Sequence, residues 1–346
     1  MSVPEKFTGY GATDGTGRLS KFQYDPKPFG DHDIDIKISH CGICGSDLHT
    51  LYSGWGPTDY PVVVGHEIVG EVVRVGSKVT KFKVGDQAGV GAQCCSCLEC
   101  ETCKAKMEQN CAGSVGTYNS RFPDGSKSYG GYADYERCHE HFAFHIPAGM
   151  KNEEAACLLC AGITTFSPFL QHKIGPQHKV GVVGVGGLGH LGVQWSAALG
   201  ADTTAISHSD RKKEDAAKLG AKHYLNFSDE AQVKAAARTF DFILCTSFAP
   251  DMPMDTFLSM LKPRGTFCLV GAPEEPFPMR AFDLIPKNIN FCGSTIGSPE
   301  EIEYMLKFAQ EKGVKTWYEK RPMAEAQKAV DDLKEGKARY RFVLEN

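Results

Sequence analysis

Residues 179–201, KVGVVGVGGLGHLGVQWSAALGA, constrain the fold more than any other stretch of this chain. A β-branched apolar run passes into a glycine cluster and then into an amphipathic helical pattern. A strand that leads straight into a helix needs a crossover to reach its neighbour, which means a parallel sheet. DTTAIS (202–207) supplies the next strand at the expected distance. FDFILCTS (240–247) and GTFCLVG (265–271) continue the series, and NINFCGSTIG (288–297) closes it as an exposed edge. The pattern predicts an α/β chain with a doubly wound parallel sheet.

Gly184, Gly186 and Gly189 give G-x-G-x-x-G in the strand–turn–helix setting that this motif needs. Glycines there let the main chain approach a pyrophosphate lying over the helix N-terminus. The end of the second strand then selects the nucleotide. An NAD site places Asp or Glu there, on the ribose hydroxyls. This chain has Ser207, His208, Ser209, Asp210, Arg211, Lys212 and Lys213. Serine tolerates a 2′-phosphate that a carboxylate would repel. Asp210 is expected to cap the helix RKKEDAAKLG. Cations at a helix start oppose its dipole, so an anionic partner explains them better than solvent does. The expected cofactor is NADP(H).

A chain of 346 residues exceeds one ordinary core, so two domains are expected. No internal repeat or low-complexity segment interrupts it. A net charge of -4 provides no basic field for nucleic acid or an anionic membrane. No apolar run is long enough to span a bilayer, and MSVPEKFTGY lacks the apolar centre of a signal peptide. The expected location is cytoplasmic, where the 14 cysteines are thiols or ligands rather than disulfides.

Six of those cysteines fall in CCSCLECETCKAKMEQNC (94–111). Cys97, Cys100, Cys103 and Cys111 follow C-x2-C-x2-C-x7-C, a spacing that closes four thiolates around zinc. Cys94 and Cys95 are out of this register and read as ordinary thiols. An all-thiolate tetrahedron has no open position, so this zinc is structural and the chemistry must lie elsewhere. HCGICGSDLHT (40–50) and VVVGHEIVGEVV (62–73) offer a second set. Alone, His66 would read as a structural histidine and Cys44 as a small buried hydrophobe; the argument rests on their combination.

The pieces CGICGSDLH, GHEIVGEVVRVGSKVTKFKVGDQAGVG, CLECETCKAKMEQNC, GGYADY, LLCAGITTFSP, GVGGLG and GKARYRFVL occur in an order that resembles the zinc-containing medium-chain alcohol dehydrogenases. The likeness is strongest to their NADP-dependent, cinnamyl-alcohol-dehydrogenase-like branch and covers nearly the whole chain. It implies a GroES-like partly open β-barrel catalytic domain at residues 1–156, a Rossmann NADP-binding domain at 157–298, and a return to the first domain at 299–346. The cleft between them is expected to hold zinc and nicotinamide.

The resemblance also implies a catalytic zinc on Cys44, His66 and Cys160. Glu67 would ligate it or polarise it, and Asp47 would orient His66 through the other ring nitrogen. By local pattern AACLLCAGI is a buried helix start, and only the family register separates Cys160 from Cys157. Such a zinc is a Lewis acid toward an alcohol or carbonyl oxygen. Ser46 and His49, loop-capping residues on a bland reading, become a proton relay by way of the nicotinamide ribose. Thr164, Gly187, Leu188, Gly271, Ser294, Thr295 and Ile296 join the glycines and the Ser207–Lys212 segment as cofactor contacts. Trp55, Gly116, Thr295 and Ile296 are the implied substrate pocket. Gly116 and Thr295 stand where bulky aromatics are common in this branch, which favours a broad range of primary alcohols and aldehydes over tight cinnamyl specificity. The expectation is thus an enzyme with two zinc ions per chain, NADP(H), a small-molecule substrate and a homodimeric assembly, favouring aldehyde reduction. The rivals are a polyol dehydrogenase on the same fold and a non-catalytic NADPH-binding redox sensor.

Overall fold

A computed structural model describes residues 3–247, 249, 252–276 and 279–346. The chain divides into two compact units. One comprises residues up to Ile163 with Gly297–Glu311 and Thr316–Asn346; the other comprises Thr164–Ile296 and Lys312–Lys315.

The second unit is built on six parallel strands. Their order across the sheet is His223–Asn226, Asp202–Ser207, Lys179–Val183, Phe240–Cys245, Leu261–Leu269 and Asn290–Gly293. Numbered along the chain this is 3-2-1-4-5-6, the doubly wound order with a switch point between the first and fourth strands. Val180, Val182, Val183, Ile206, Ile243, Leu244 and Phe267 are fully buried, as expected of strands covered on both faces. The edge strand runs only over Asn290–Gly293, shorter than the predicted stretch. One expectation is corrected here. Asp210 does not cap the helix: it opens a 3-10 turn, Asp210–Lys212, and the α-helix begins at Lys213. The Lys213 N–H bonds back to the Asp210 carbonyl, so a 3-10 turn intervenes and the N-cap position falls on Lys212.

The first unit carries a seven-stranded sheet. Asp33–Gly42 is its central strand: one edge pairs with Ile68–Val75, the other with Tyr135–His139 at one end and Arg341–Glu345 at the other. Its register with Ile68–Val75 shifts twice, with Val73 the extra residue at one shift and Ser39 at the other. Tyr135–His139 pairs with Asp33–Lys37 and Arg341–Glu345 with His40–Gly42, so one edge serves two partners. Ile34, Ile36, Ile38, Val72, Val90, Phe342 and Leu344 fill the core. Among the described residues no helix is long and apolar enough to cross a membrane.

Candidate functional site

Two groups of metal-ligating side chains occur in the first unit among the described residues. Cys97, Cys100, Cys103 and Cys111 form one; Cys44, His66, Glu67 and Cys160 form the other. Within each, the ligand atoms lie within 4.8 Å of one another.

In the first group the sulfurs of Cys97 and Cys111 are 3.5 Å apart, those of Cys97 and Cys103 3.9 Å, and those of Cys100 and Cys111 3.8 Å. A tetrahedron with bonds of ~2.3 Å has edges of about 3.8 Å, so zinc fits this loop. The fold prepares it electrostatically: backbone N–H groups of Glu99 and Cys100 bring the Cys97 thiol down to about 6. Cys94 and Cys95 stay outside the group, and the Cys94 sulfur faces the carbonyls of Val115 and Gly116.

The second group is assembled from three places in the chain. Cys44 is the N-cap of helix Gly45–Leu51, and Asp47, the third residue of that helix, accepts from the Cys44 N–H at 2.9 Å. His66 and Glu67 immediately precede strand Ile68–Val75. Cys160 sits in the break between the 3-10 turn Cys157–Leu159 and helix Ala161–Gln171, with φ -125 and ψ -69. That break turns its sulfur to 3.9 Å from Cys44, while Cys157 lies outside the group. All four ligand residues are buried.

Burial without a partner is costly for polar atoms, yet His66 Nε2 and Glu67 Oε2 have no hydrogen-bond partner among the described residues. Two thiols, an orphaned imidazole nitrogen and an orphaned carboxylate oxygen converging on one point are the donor set of a cation. The charges are already arranged for one. The Cys160 thiol holds Cys44 well below an ordinary cysteine, against the effect of burial. Burial disfavours charge on His66, but Cys44, Asp47 and Glu67 outweigh it and bring it up to about 9. Burial pushes Glu67 up to about 7, against the pull of Arg341.

Asp47 makes its hydrogen bonds to the Cys44 and Gly65 N–H groups and to the Tyr132 hydroxyl, not to the His66 ring as the resemblance implied. It fixes the backbone on both sides of the donor set and reaches the ring by charge alone. The ring is held by Tyr118, stacked on it at 5.2 Å with planes 7° apart. Arg341 donates to Glu67 Oε1, leaving Oε2 for the site. The sequence gives no sign of these roles for Tyr118, Tyr132 and Arg341: Tyr132 and Arg341 lie in GGYADY and GKARYRFVL, and Tyr118 follows Gly116 in residues 114–120, SVGTYNS.

Ser46 Oγ lies 3.5 Å from Cys44 Sγ. His49, one turn along the same helix, stacks on Trp55 at 4.3 Å. Trp55 is 48% exposed, unusual for a large aromatic. A Cβ on Gly116 would meet Ser120 Oγ and the Tyr118 carbonyl at 3.3 Å, so a bulky residue there requires the following turn to shift.

In the second unit, glycine packing separates two roles. A Cβ on Gly189 would fall 1.7 Å from the Gly184 carbonyl, so this position exists for close strand–helix approach. A Cβ on Gly186 would meet nothing within 4 Å. It would stand in open space at the turn that leads into the helix Gly189–Ala198. Gly187 and Leu188 complete the turn into that helix. Ser207 ends its strand, buried. Beyond it Arg211 reaches Ser209 Oγ at 3.3 Å and His208 Nε2 at 3.2 Å, gathering donors around the strand end. Lys212 closes the 3-10 turn. Gly271 follows strand Leu261–Leu269. Thr164 is buried in helix Ala161–Gln171. Ser294, Thr295 and Ile296 follow the edge strand; Ser294 Oγ is buried with no hydrogen-bond partner among the described residues, and Ile296 is held at φ 36. A β-branched residue at positive φ is strained.

Residues 30–148 match the alcohol dehydrogenase GroES-like domain family, and residues 187–311 the zinc-binding dehydrogenase family. The chain is 43% identical to NADP-dependent alcohol dehydrogenase 6 of Saccharomyces cerevisiae, over 99% of this chain and 98% of that protein. The chain is a zinc-containing medium-chain alcohol dehydrogenase. Within that family it belongs to the NADP-dependent, cinnamyl-alcohol-dehydrogenase-like branch. The dehydrogenase is also 44% identical to 8-hydroxygeraniol dehydrogenase of Catharanthus roseus, over 99% of this chain and 95% of that protein. It is 44% identical to a mannitol dehydrogenase of Petroselinum crispum, over 94% and 97%. Among solved structures, the cinnamyl alcohol dehydrogenase SbCAD4 of Sorghum bicolor superposes with a TM-score of 0.95 at 39% identity, covering 98% of this chain and 97% of that one. The cinnamyl enzyme of Helicobacter pylori, complexed with NADP(H), gives 0.91 at 33% identity, covering 98% of each.

Proposed function

We propose that this dehydrogenase interconverts a broad range of primary alcohols and aldehydes, aliphatic and aromatic, with NADP(H), and favours aldehyde reduction. The observation that carries the proposal is the buried set of Cys44, His66, Glu67 and Cys160 with its two orphaned donors. Cys44, His66 and Cys160 are the proposed ligands of a catalytic zinc, with Glu67 at the remaining position. Zinc held there supplies Lewis-acid polarisation of a substrate oxygen. Cys97, Cys100, Cys103 and Cys111 are the proposed ligands of a second, structural zinc.

The chain's own residues do the rest. Asp47 and Tyr132 fix the backbone from which Cys44 and His66 project, and Tyr118 fixes the imidazole plane. Ser46 both donates and accepts, so it is suited to take the substrate proton; His49 is the proposed next carrier. Gly184, Gly186, Gly187, Leu188 and Gly189 are the proposed pyrophosphate turn. Ser207, His208, Ser209, Arg211 and Lys212 are proposed to hold the 2′-phosphate. Thr164, Gly271 and Ser294 are proposed as further contacts, with Thr295, Ile296, Trp55 and Gly116 lining the substrate pocket. Small side chains at Gly116 and Thr295 are the basis for the broad range. We further assign residues 1–156 and 299–346 to the catalytic domain and 157–298 to the cofactor domain, in a cytoplasmic homodimer.

The test is zinc content and aldehyde-dependent NADPH oxidation on one preparation, across aliphatic, aromatic and polyol substrates. Two zinc ions with turnover of several aldehyde classes support the proposal. Metal-free protein that still turns over overturns it. The mannitol dehydrogenase relative makes polyol oxidation the second reading, and faster mannitol oxidation than aldehyde reduction would establish it.

A further inference from the structure

Eight cysteines lie outside the two ligand groups. Cys41, Cys94, Cys95, Cys138, Cys157, Cys245 and Cys268 all have thiols raised above the ordinary value, chiefly by burial, with Cys292 the main influence on Cys268. They behave as small hydrophobes. Cys292 differs in its surroundings. It lies on the edge strand Asn290–Gly293, half-buried, with its sulfur 3.6 Å from His172 Nε2 at the end of helix Ala161–Gln171. Cys268, fully buried, is its register partner on the adjacent parallel strand. Register partners on neighbouring strands sit ~4.8 Å apart, within the range of about 4.4–6.8 Å that a disulfide spans between Cα atoms.

This is a nucleophile beside a base, with a second thiol behind it. We propose that Cys292, Cys268 and His172 form a peroxide-reactive dithiol site on the nucleotide-binding unit, independent of both zinc groups. Each residue has a distinct role. His172 accepts the Cys292 proton. The Cys292 thiolate attacks one peroxide oxygen: an S–O bond forms, the O–O bond breaks, and the departing alkoxide takes the proton from His172 and leaves as an alcohol. The sulfur has been oxidised to a sulfenic acid and the peroxide reduced. The Cys268 sulfur then attacks Cys292, forming S–S and breaking S–O. The hydroxide that leaves combines with the Cys268 proton as water. In sum, two thiols and one hydroperoxide give a disulfide, an alcohol and water. Cys268 and His172 also bring the Cys292 thiol down to about 6 against the effect of burial, which favours attack as a thiolate.

Orientation and access both favour a small oxidant. Side chains project from a sheet's faces; Cys292 meets His172 on one face while Phe291 stacks on Phe267. Pairing of this edge strand with another strand would use its backbone and leave the sulfur beside His172. Half-burial admits a hydroperoxide and disfavours a large protein disulfide.

The zinc-loaded enzyme is treated with stoichiometric tert-butyl hydroperoxide at neutral pH, with zinc assayed and cysteines mapped under non-reducing conditions by mass spectrometry. The expected product is a Cys268–Cys292 disulfide with both zinc ions retained. Cys292→Ser should leave Cys268 reduced. Cys268→Ser should stop at a sulfenic acid on Cys292 that dimedone captures; should that variant not fold, the wild-type map decides. His172→Gln should slow iodoacetamide labelling of Cys292 at pH 7 about tenfold. Labelling unchanged by that substitution, oxidation confined to Cys292 in the wild type, or oxidation of the ligand cysteines with Cys292 still reduced would each overturn the proposal.

Discussion

Arg341 donates to Glu67 across 274 residues of sequence, and both side chains are buried in the first unit. The sheet creates the contact. Strand Arg341–Glu345 pairs with the end of Asp33–Gly42, which pairs in turn with the strand beginning just after Glu67. The arginine's charge opposes the cost of burying a glutamate beside two cysteines without cancelling it. It also leaves one carboxylate oxygen unengaged.

Removing one partner of such a pair strands the other. Arg341→Ala is therefore expected to cost about 3–5 kcal/mol in denaturant unfolding. Adding Glu67→Gln should recover part of this, because the stranded charge goes with it. Strictly additive losses in the double-mutant cycle would show that the two side chains are not coupled.

That contact marks the limit of what the sequence discloses. Local patterns were readable: five of the six parallel strands stand out as apolar runs, the four-cysteine cluster follows from the spacing of Cys97, Cys100, Cys103 and Cys111, and the glycine turn from its place between a strand and a helix; the sixth strand, His223–Asn226, is short and half polar and gives no such run. Contacts made by distant segments carry no periodic signal. Tyr118 on His66 and Arg341 on Glu67 depend on sheet register, and nothing in SVGTYNS or GKARYRFVL announces it. Asp210 failed for the opposite reason. Its local pattern was a good cap, but the chain enters that helix through a 3-10 turn.

The two cysteine sets are expected to separate folding from activity. Structural zinc contributes ~10–16 kcal/mol to the folding of small zinc peptides. Cys100→Ala should therefore give poorly folded protein. Cys44→Ala should give folded protein with one zinc fewer and no turnover. Circular dichroism and elemental analysis on both variants check this, and a well-folded, active Cys100→Ala protein would refute the structural role.

Among the described residues, the edge strand Asn290–Gly293 pairs with one strand, Leu261–Leu269. Unpaired backbone groups on such an edge favour pairing across a two-fold. Light scattering at micromolar concentration should report a dimer; a monomer at that concentration counts against it.

Acid is expected to loosen helix Ala326–Lys334. Lys328 and Lys337 bring the Asp332 carboxyl down to about 2. A depressed carboxylate stabilises the fold above its ordinary value, near ~4, and that contribution is lost as the pH falls toward about 2. The stability gap between wild type and Asp332→Asn should be constant at neutral pH and narrow below pH ~4. Zinc loss affects both proteins and cancels in the difference. A gap that widens on acidification would reverse the assignment.

The sharpest test of the cofactor reading lies at the end of strand Asp202–Ser207. Ser207 occupies the position where an NAD site carries an acid, and Arg211 gathers His208 and Ser209 beside it. A 2′-phosphate placed there would be met by hydroxyls and cations. Losing one charge-assisted contact costs roughly 1.5–3 kcal/mol, or about one to two powers of ten in kcat/KM. Arg211→Ala and Lys212→Ala should each weaken NADPH by that amount and leave NADH nearly unchanged. Ser207→Asp should go further, because its carboxylate repels the phosphate and accepts from a free ribose hydroxyl. Preference should then move toward NADH. Steady-state kinetics with both cofactors decide it. A wild-type enzyme that uses NADH as well as NADPH would assign ribose binding to Asp210 and leave the cations facing solvent.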